Sequence, residues 1–213
     1  MNFDPESSIH RGALGRRSFV RALGMALVLA PWRSAGAQAT EPAGLIEEIK
    51  GEGFAAAGTT RRALERNSPV FVADMVSTGE ASRATIHLGE QTRLRLGERV
   101  RIIIDRYLVD VGGEFRLESG AMLFDRPSGK PAPVQIRSPF GLIAVRGTRF
   151  FAGPSRGVFG VFVQRGSVSV TAAGREVVLL MGQGTDIPHP DGIPTTARRW
   201  RDPRIREALD SVS

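Results

Sequence analysis

The chain has 213 residues, of which 41% are hydrophobic and 24% charged, so the composition predicts a folded chain of one domain or two small ones. It has no cysteine, which excludes disulfides, thiolate metal sites and cysteine nucleophiles. The net charge is +7, carried almost entirely by arginine, because Lys50 and Lys130 are the only lysines. A net positive charge of this kind fits binding to nucleic acid or to an anionic envelope surface. It also fits a basic export signal within the chain.

Residues 1–39 predict a cleavable signal peptide. Basic residues up to Arg21 precede a short apolar run at 22–30, and small residues then lead to an Ala-x-Ala cleavage site at Ala37 and Ala39. The apolar run is shorter than the roughly 20 residues that a membrane-spanning helix needs. We therefore expect an exported chain, in a bacterium, with no transmembrane segment after cleavage.

The basic part of this signal contains Gly15-Arg16-Arg17-Ser18-Phe19-Val20-Arg21. This motif resembles the twin-arginine export signature. The resemblance implies that the twin-arginine export machinery reads Arg16 and Arg17, with Phe19 completing the motif, and delivers a folded chain to the periplasm. The alternative is an ordinary secretory signal that happens to contain two arginines.

The positive charge divides between the signal and the remainder of the chain. Residues 1–39 hold five of the 29 basic residues and two of the 22 acidic ones, a net charge of +3. The remaining +4 is modest for a nucleic-acid-binding domain, and export argues against that partner, so we expect none.

From Leu45 to Ile187, after a linker at 40–44, glycine-containing turns separate short apolar or alternating segments. Apolar and polar residues alternate at 84–88, 92–96 and 100–104, the pattern of half-buried strands. Further strands are predicted at 115–117, 121–124, 134–136, 142–145, 149–151, 158–163, 168–171, 176–180 and 185–187. The fold class predicted is all-β, a compact β-solenoid-like or two-sheet arrangement of short strands.

Two proline-rich stretches interrupt this pattern. Residues 126–133 predict an exposed loop, because proline cannot join a central strand ladder. Residues 188–213 predict an exit from the domain and a short C-terminal helix over 203–212, with Asp202 as N-cap and Pro203 at its first position.

Sequence motifs of metalloproteases and of P-loop nucleotide-binding enzymes are absent. Beyond the signal the only histidines are His87 and His189, and the chain lacks H-E-x-x-H and P-loop motifs. The sequence therefore predicts a protein that is not an enzyme and that needs no cofactor or metal. An envelope hydrolase with a carboxylate pair assembled in space is a distant alternative.

Arginines alternate with apolar residues in three successive predicted strands. If these strands are neighbours, the arginines share one outward face, because side chains alternate across a strand. Arginine suits bidentate capture of phosphate or carboxylate, so this face is a candidate surface for an anionic partner. The alternative is a solvated face balanced by nearby acids. The residues concerned are Arg83, Arg93, Arg95, Arg99 and Arg101.

The segment Ser138-Pro139-Phe140-Gly141-Leu142-Ile143-Ala144-Val145-Arg146-Gly147-Thr148-Arg149-Phe150 resembles the most distinctive stretch of the FecR-like domain family. Shorter family-like elements flank it in the family's order and extend the resemblance over about 45–187. They are Asp74–Gly79, Ala81–Leu88, Leu94–Leu96, Leu117–Met122, Val163–Val168 and Val178–Gly182.

The resemblance implies a non-enzymatic periplasmic module that binds an envelope partner, protein or glycan, in scaffolding or sensing. In the best-known members this domain belongs to a membrane regulator that links a TonB-dependent transporter to a sigma factor. A signalling module of that kind is the alternative function.

The residues Val145, Arg146, Gly147, Thr148 and Phe150 of the family motif also have a physical interpretation. Gly147 permits a backbone geometry that a Cβ would block, and Thr148 suits a strand edge. Arg146 is expected to bond to backbone carbonyls or to an acid such as Glu114. We therefore interpret the motif as structural, with a ligand contact as the alternative.

Overall fold

The computed structural model describes residues 41–108, 112–127 and 133–213. The predicted signal and most of the loop at 126–133 lie outside the described residues. The same holds for the residues predicted to direct export and cleavage, Arg16, Arg17, Phe19, Ala37 and Ala39.

The described chain forms short strands and one helix. In chain order these are β1 (Gly44–Lys50), β2 (Gly53–Ala57), β3 (Thr60–Ala63), β4 (Pro69–Val70), β5 (Met75–Thr78), β6 (Arg83–Leu88), β7 (Thr92–Leu96), β8 (Arg101–Leu108), β9 (Gly112–Ser119), β10 (Met122–Asp125), β11 (Val134–Ser138), β12 (Gly141–Val145), β13 (Arg149–Ser155), β14 (Val158–Arg165), β15 (Ser167–Ala172), β16 (Arg175–Leu180), β17 (Gln183–Ile187), β18 (Arg198–Arg199) and α1 (Asp202–Asp210).

The strands form two nine-stranded sheets. Sheet A has the order β18-β17-β14-β13-β10-β7-β6-β1-β4, and sheet B has the order β16-β15-β12-β11-β9-β8-β5-β2-β3. Neighbouring strands are antiparallel, except that β9 and β11 run parallel, with Phe115 opposite Ile136. The chain lays down one or two strands in one sheet and then crosses to the other. The all-β, two-sheet prediction is confirmed.

A hydrophobic core fills the space between the inner faces of the two sheets. Along β6, Ala84, Ile86 and Leu88 are buried, whereas the alternate residues remain half-exposed, as the alternation predicted. Three fully buried phenylalanines pack together at its centre, with ring centroids 6.5 Å apart for Phe115 and Phe124 and 5.4 Å for Phe124 and Phe150. Each such burial contributes about 2 kcal/mol.

A second apolar cluster lies on the outer face of sheet A, where α1 packs. Phe162 stacks on Trp200 with ring centroids 5.1 Å apart, and Ala208 and Val212 complete the cluster. The Arg204 guanidinium lies 3.7 Å from the centre of the Trp200 ring and forms two hydrogen bonds, of 3.1 and 2.6 Å, with Asp186. The C-terminal segment is thus anchored to the domain, within one compact unit.

The helix begins one residue earlier than the sequence predicted, at Asp202, and ends two residues earlier, at Asp210. Arg201 is the N-cap because its backbone is extended, with φ −87° and ψ 148°, and it supplies no side-chain cap. Asp202 therefore lies in the first turn, where its charge favours the positive end of the helix dipole. In the described part of the chain no helix is long and apolar enough to cross a membrane.

Candidate functional site

The family motif lies where the chain crosses from sheet B, at the end of β12, to sheet A, at the start of β13. Val145, Thr148 and Phe150 are buried. Gly147 adopts a φ of +60°, in the left-handed region that a side chain disfavours. The motif therefore sets the path of a sheet-to-sheet crossing.

A second crossing, from β14 to β15, packs directly against the first. Gly166 has a φ of +83°, and a Cβ added there would lie 2.7 Å from the Thr148 Cγ2 and 3.0 Å from the Gly147 carbonyl oxygen. Two family-like elements that are distant in sequence, around Val145 and Val163, thus meet at adjoining crossings. This contact supports the structural interpretation of the motif.

Arg146 differs from its neighbours in the motif because it is exposed. Among the described residues, nothing forms a hydrogen bond or ion pair with its guanidinium. The expected partner Glu114 is paired with Arg137 instead. The reason is topological: β11, which carries Arg137, lies between β9 and β12, so Arg146 starts two strands away from Glu114.

Asp74, in the family-like element before β5, is the one fully buried acid of the described residues. Its carboxylate forms an ion pair with Arg62, whose Nη1 donates to Oδ1 at 3.1 Å. The Phe71 backbone N–H donates to its Oδ2 at 2.7 Å and closes a tight turn. Asp74 thus stabilises the start of β5.

Thr78, four residues later, connects two more crossings. Its hydroxyl donates to the Gly97 carbonyl at 2.7 Å and accepts from the Val100 N–H at 2.9 Å. The buried polar side chains of Asp74 and Thr78 are therefore both engaged in holding the fold.

The two histidines lie at the surface and bond to nearby carbonyls. His87 Nε2 is 3.2 Å from the backbone carbonyl oxygen of Glu90, and His189 Nδ1 is 2.9 Å from that of Pro190. Within the described ranges no group of three His, Cys, Asp or Glu residues is placed to hold a metal ion.

The face predicted for five arginines divides between two sheets. Arg83 on β6 and Arg93 and Arg95 on β7 share the outer face of sheet A, because β6 and β7 are neighbours. The chain then crosses to sheet B, so Arg101 on β8 belongs to the other sheet and Arg99 lies in the intervening turn. The condition that the three strands be neighbours holds for two of them.

Ion pairs distinguish the five arginines further. Arg93 pairs with Glu47 at 2.7 Å and Arg101 with Glu118 at 3.9 Å, and Arg99 pairs with Glu80. Arg83 and Arg95 have no carboxylate partner among the described residues. The arginines of the predicted face therefore differ in how much of their charge is compensated.

Sequence reasoning missed two arginines that extend this face. Across the outer face of sheet A, Arg93 lies opposite Asp125, Asp125 opposite Arg149, and Arg149 opposite Arg165. Asp125 pairs with both Arg149 and Arg165, at 3.4 and 2.9 Å. Each arginine lies at the end of a strand whose central residues are all buried, so no alternation marks it, and the order of strands that aligns them is not visible in the sequence.

Residues 74–169 match the protein family described as FecR protein. The chain therefore contains a FecR domain, as the series of motifs predicted. The comparison with curated proteins finds no match.

Two crystal structures of a "putative anti-sigma factor" from Parabacteroides distasonis ATCC 8503 share the fold. The first, at 1.65 Å resolution, has a TM-score of 0.54 and 15% identity over 63% of this chain and 64% of that chain. The second, at 2.50 Å, gives the same TM-score and identity over 63% of each chain. The match thus spans less than two thirds of the length of these structures, and at this identity it establishes the fold alone.

Proposed function

We propose that this chain is a non-enzymatic signalling or regulatory module of the bacterial periplasm, which binds an envelope partner through its FecR domain. The match of residues 74–169 to the FecR family is the observation that carries the proposal. The burial of the family motifs at crossings supports it, because it leaves the outer face of sheet B and the part of sheet A beyond α1 for a partner.

The non-enzymatic part of the proposal is supported by how the reactive side chains are used. Asp74 is committed to Arg62 and to a turn, and each surface histidine bonds to a neighbouring carbonyl. A signalling role is favoured over a purely scaffolding one by the fold shared with the "putative anti-sigma factor" structures. In this role the partner is an envelope protein rather than a glycan.

Photo-crosslinking in intact cells tests the proposal. The full chain carries a photoreactive amino acid at Thr85, on the outer face of sheet A, or at Val178, which is 56% exposed on sheet B. A third chain carries it at Glu65, in the exposed turn after β3, as the matched control. We expect one envelope protein to be captured from Thr85 or Val178 and not from Glu65.

Two results would overturn the proposal. One is the same set of abundant proteins from all three positions, which would indicate that no face is specific. The other is capture confined to cytoplasmic proteins, which would contradict a periplasmic module. A glycan adduct on one face alone would support envelope binding, but it would indicate a scaffolding role and not a signalling one.

A further inference from the structure

The outer face of sheet A contains a groove of about 210 Å³ between β1, β6, β7 and the end of the C-terminal segment. The charged side chains that line it are Lys50, Arg83, Arg93, Arg95, Glu47 and Glu48. Four cations thus face two carboxylates. The positive charge of the groove is therefore only partly compensated. The ion pairs show which of the cations have no partner.

Both carboxylates of the groove are already paired. Glu47 binds Arg93 at 2.7 Å, and Glu48 lies 3.6 Å from the Lys50 Nζ. Arg83 and Arg95 therefore have no ion-pair partner among the described residues. Ser213 lies at the same groove, but no ion pair of the described structure joins it to either guanidinium.

The strand register brings these two arginines to one place. Arg95 lies directly opposite Thr85 on the neighbouring strand, and Arg83 is two residues before Thr85 on the same face. These positions are separated by about 5 and 7 Å. The Thr85 hydroxyl forms no hydrogen bond with a described residue, so it is a third donor between two guanidinium groups.

Arg83 is partly fixed before any ligand binds. Its Nη1 donates to the Ser82 carbonyl at 2.9 Å, which restrains the guanidinium at the groove. A guanidinium that is already held in place loses less conformational freedom when it binds an oxygen ligand. Arginine groups bind carboxylate and phosphate through paired charge-assisted hydrogen bonds.

We infer that Arg83, Arg95 and Thr85 form a binding site for an oxyanion group, phosphate or carboxylate. This site is narrower than a general basic face, because it excludes Arg99 and Arg101, which are paired and lie elsewhere. It also does not depend on which partner the FecR domain binds.

Nuclear magnetic resonance titration of the full chain with inorganic phosphate tests the site, with sodium chloride at equal ionic strength as the reference. We expect saturable shifts of the Thr85 amide and of the Arg83 and Arg95 Nε–H signals with phosphate only. R95Q should weaken phosphate binding about tenfold, because a charge-assisted pair is lost. R101Q, on the other sheet, is the matched control and should bind as the parent does.

A second arm distinguishes the source of the oxyanion. Sedimentation with phosphatidylglycerol vesicles, compared with phosphatidylcholine vesicles, would identify a lipid headgroup, and phosphate binding without vesicle binding would identify a soluble ligand. Either result supports the site. Equal shifts with chloride, or equal losses in R95Q and R101Q, would overturn it. R83Q repeats the test at the second guanidinium in case R95Q does not fold.

Discussion

Asp74 is a buried charged residue whose role is to stabilise the fold. Its side chain is 1% exposed, and its charge is balanced by Arg62, which is 30% exposed. Removing one partner of such a pair leaves the other uncompensated in a poorly solvated place, which costs several kcal/mol. The Phe71 N–H would at the same time lose a charged acceptor.

We therefore expect Asp74→Asn to lower the free energy of unfolding by about 3 kcal/mol. Urea denaturation followed by circular dichroism measures this change. Glu118→Gln is the matched control, because Glu118 pairs with Arg101 at 3.9 Å on an exposed surface and such pairs contribute less than about 1 kcal/mol. Equal effects of the two substitutions would show that Asp74 has no special structural role.

Arg146 differs from the other residues of the family motif because it is exposed while Val145 and Thr148 are buried. The residues of the motif allowed either a structural or a ligand-binding role for Arg146, and its expected partners were backbone carbonyls or an acid such as Glu114. Glu114 was a reasonable choice by charge, but which strand lies beside β9 depends on long-range pairing. The burial of Val145 and Phe150 followed from hydrophobicity, whereas the full burial of Thr148, expected at a strand edge, and the partner of an exposed arginine did not.

At the scale of elements, the two crossings that meet at Gly147 and Gly166 are the feature that distinguishes this fold. Both glycines have positive φ, and the Gly166 position has no room for a Cβ beside Thr148. Gly174, in the turn between β15 and β16, has a φ of +73° with nothing within 4 Å of the Cβ position. Substitutions at Gly166 and Gly174 therefore share the cost of the left-handed backbone conformation, and only the one at Gly166 adds a steric conflict.

Gly166→Ala and Gly174→Ala should both lose about 1–2 kcal/mol of stability from the left-handed conformation. Gly166→Ala should lose about 2 kcal/mol more, because its methyl group displaces Thr148 and the adjoining crossing. Thermal unfolding of the two variants side by side measures the difference. If Gly174→Ala were as destabilising as Gly166→Ala, the packing of the two crossings would not matter.

The strands themselves were largely predictable, because a two-residue alternation is a local property. The segments 84–88 and 92–96 correspond to β6 and β7 almost residue for residue. What the sequence did not reveal is which sheet each strand joins. Alternation is the same in either sheet, so the transfer of Arg101 to sheet B depends on the crossing after β7. The oxyanion groove could not be predicted for the same reason, since Thr85 and Arg95 become neighbours only when β6 pairs with β7.

At the scale of the whole molecule, the described residues form one compact unit that includes the C-terminal segment. The domain contains no cysteine, so its stability depends on its core and on α1 packed against sheet A rather than on disulfides. A chain of this kind can complete its fold before export, which is the condition that the twin-arginine route requires. The fold is therefore compatible with the export route predicted from Arg16 and Arg17.

Replacing both Arg16 and Arg17 by lysine is expected to block export, although the charge of the signal is unchanged, because the receptor reads the paired guanidinium groups. Precursor that retains residues 1–39 should then accumulate in the cytoplasm, as measured by cell fractionation and the mass of the purified chain. Arg11→Lys is the control, because it conserves charge outside the motif and should leave export normal. Export of the double-lysine chain at the parental level would instead indicate an ordinary secretory signal, and the domain would then have to fold after crossing the membrane.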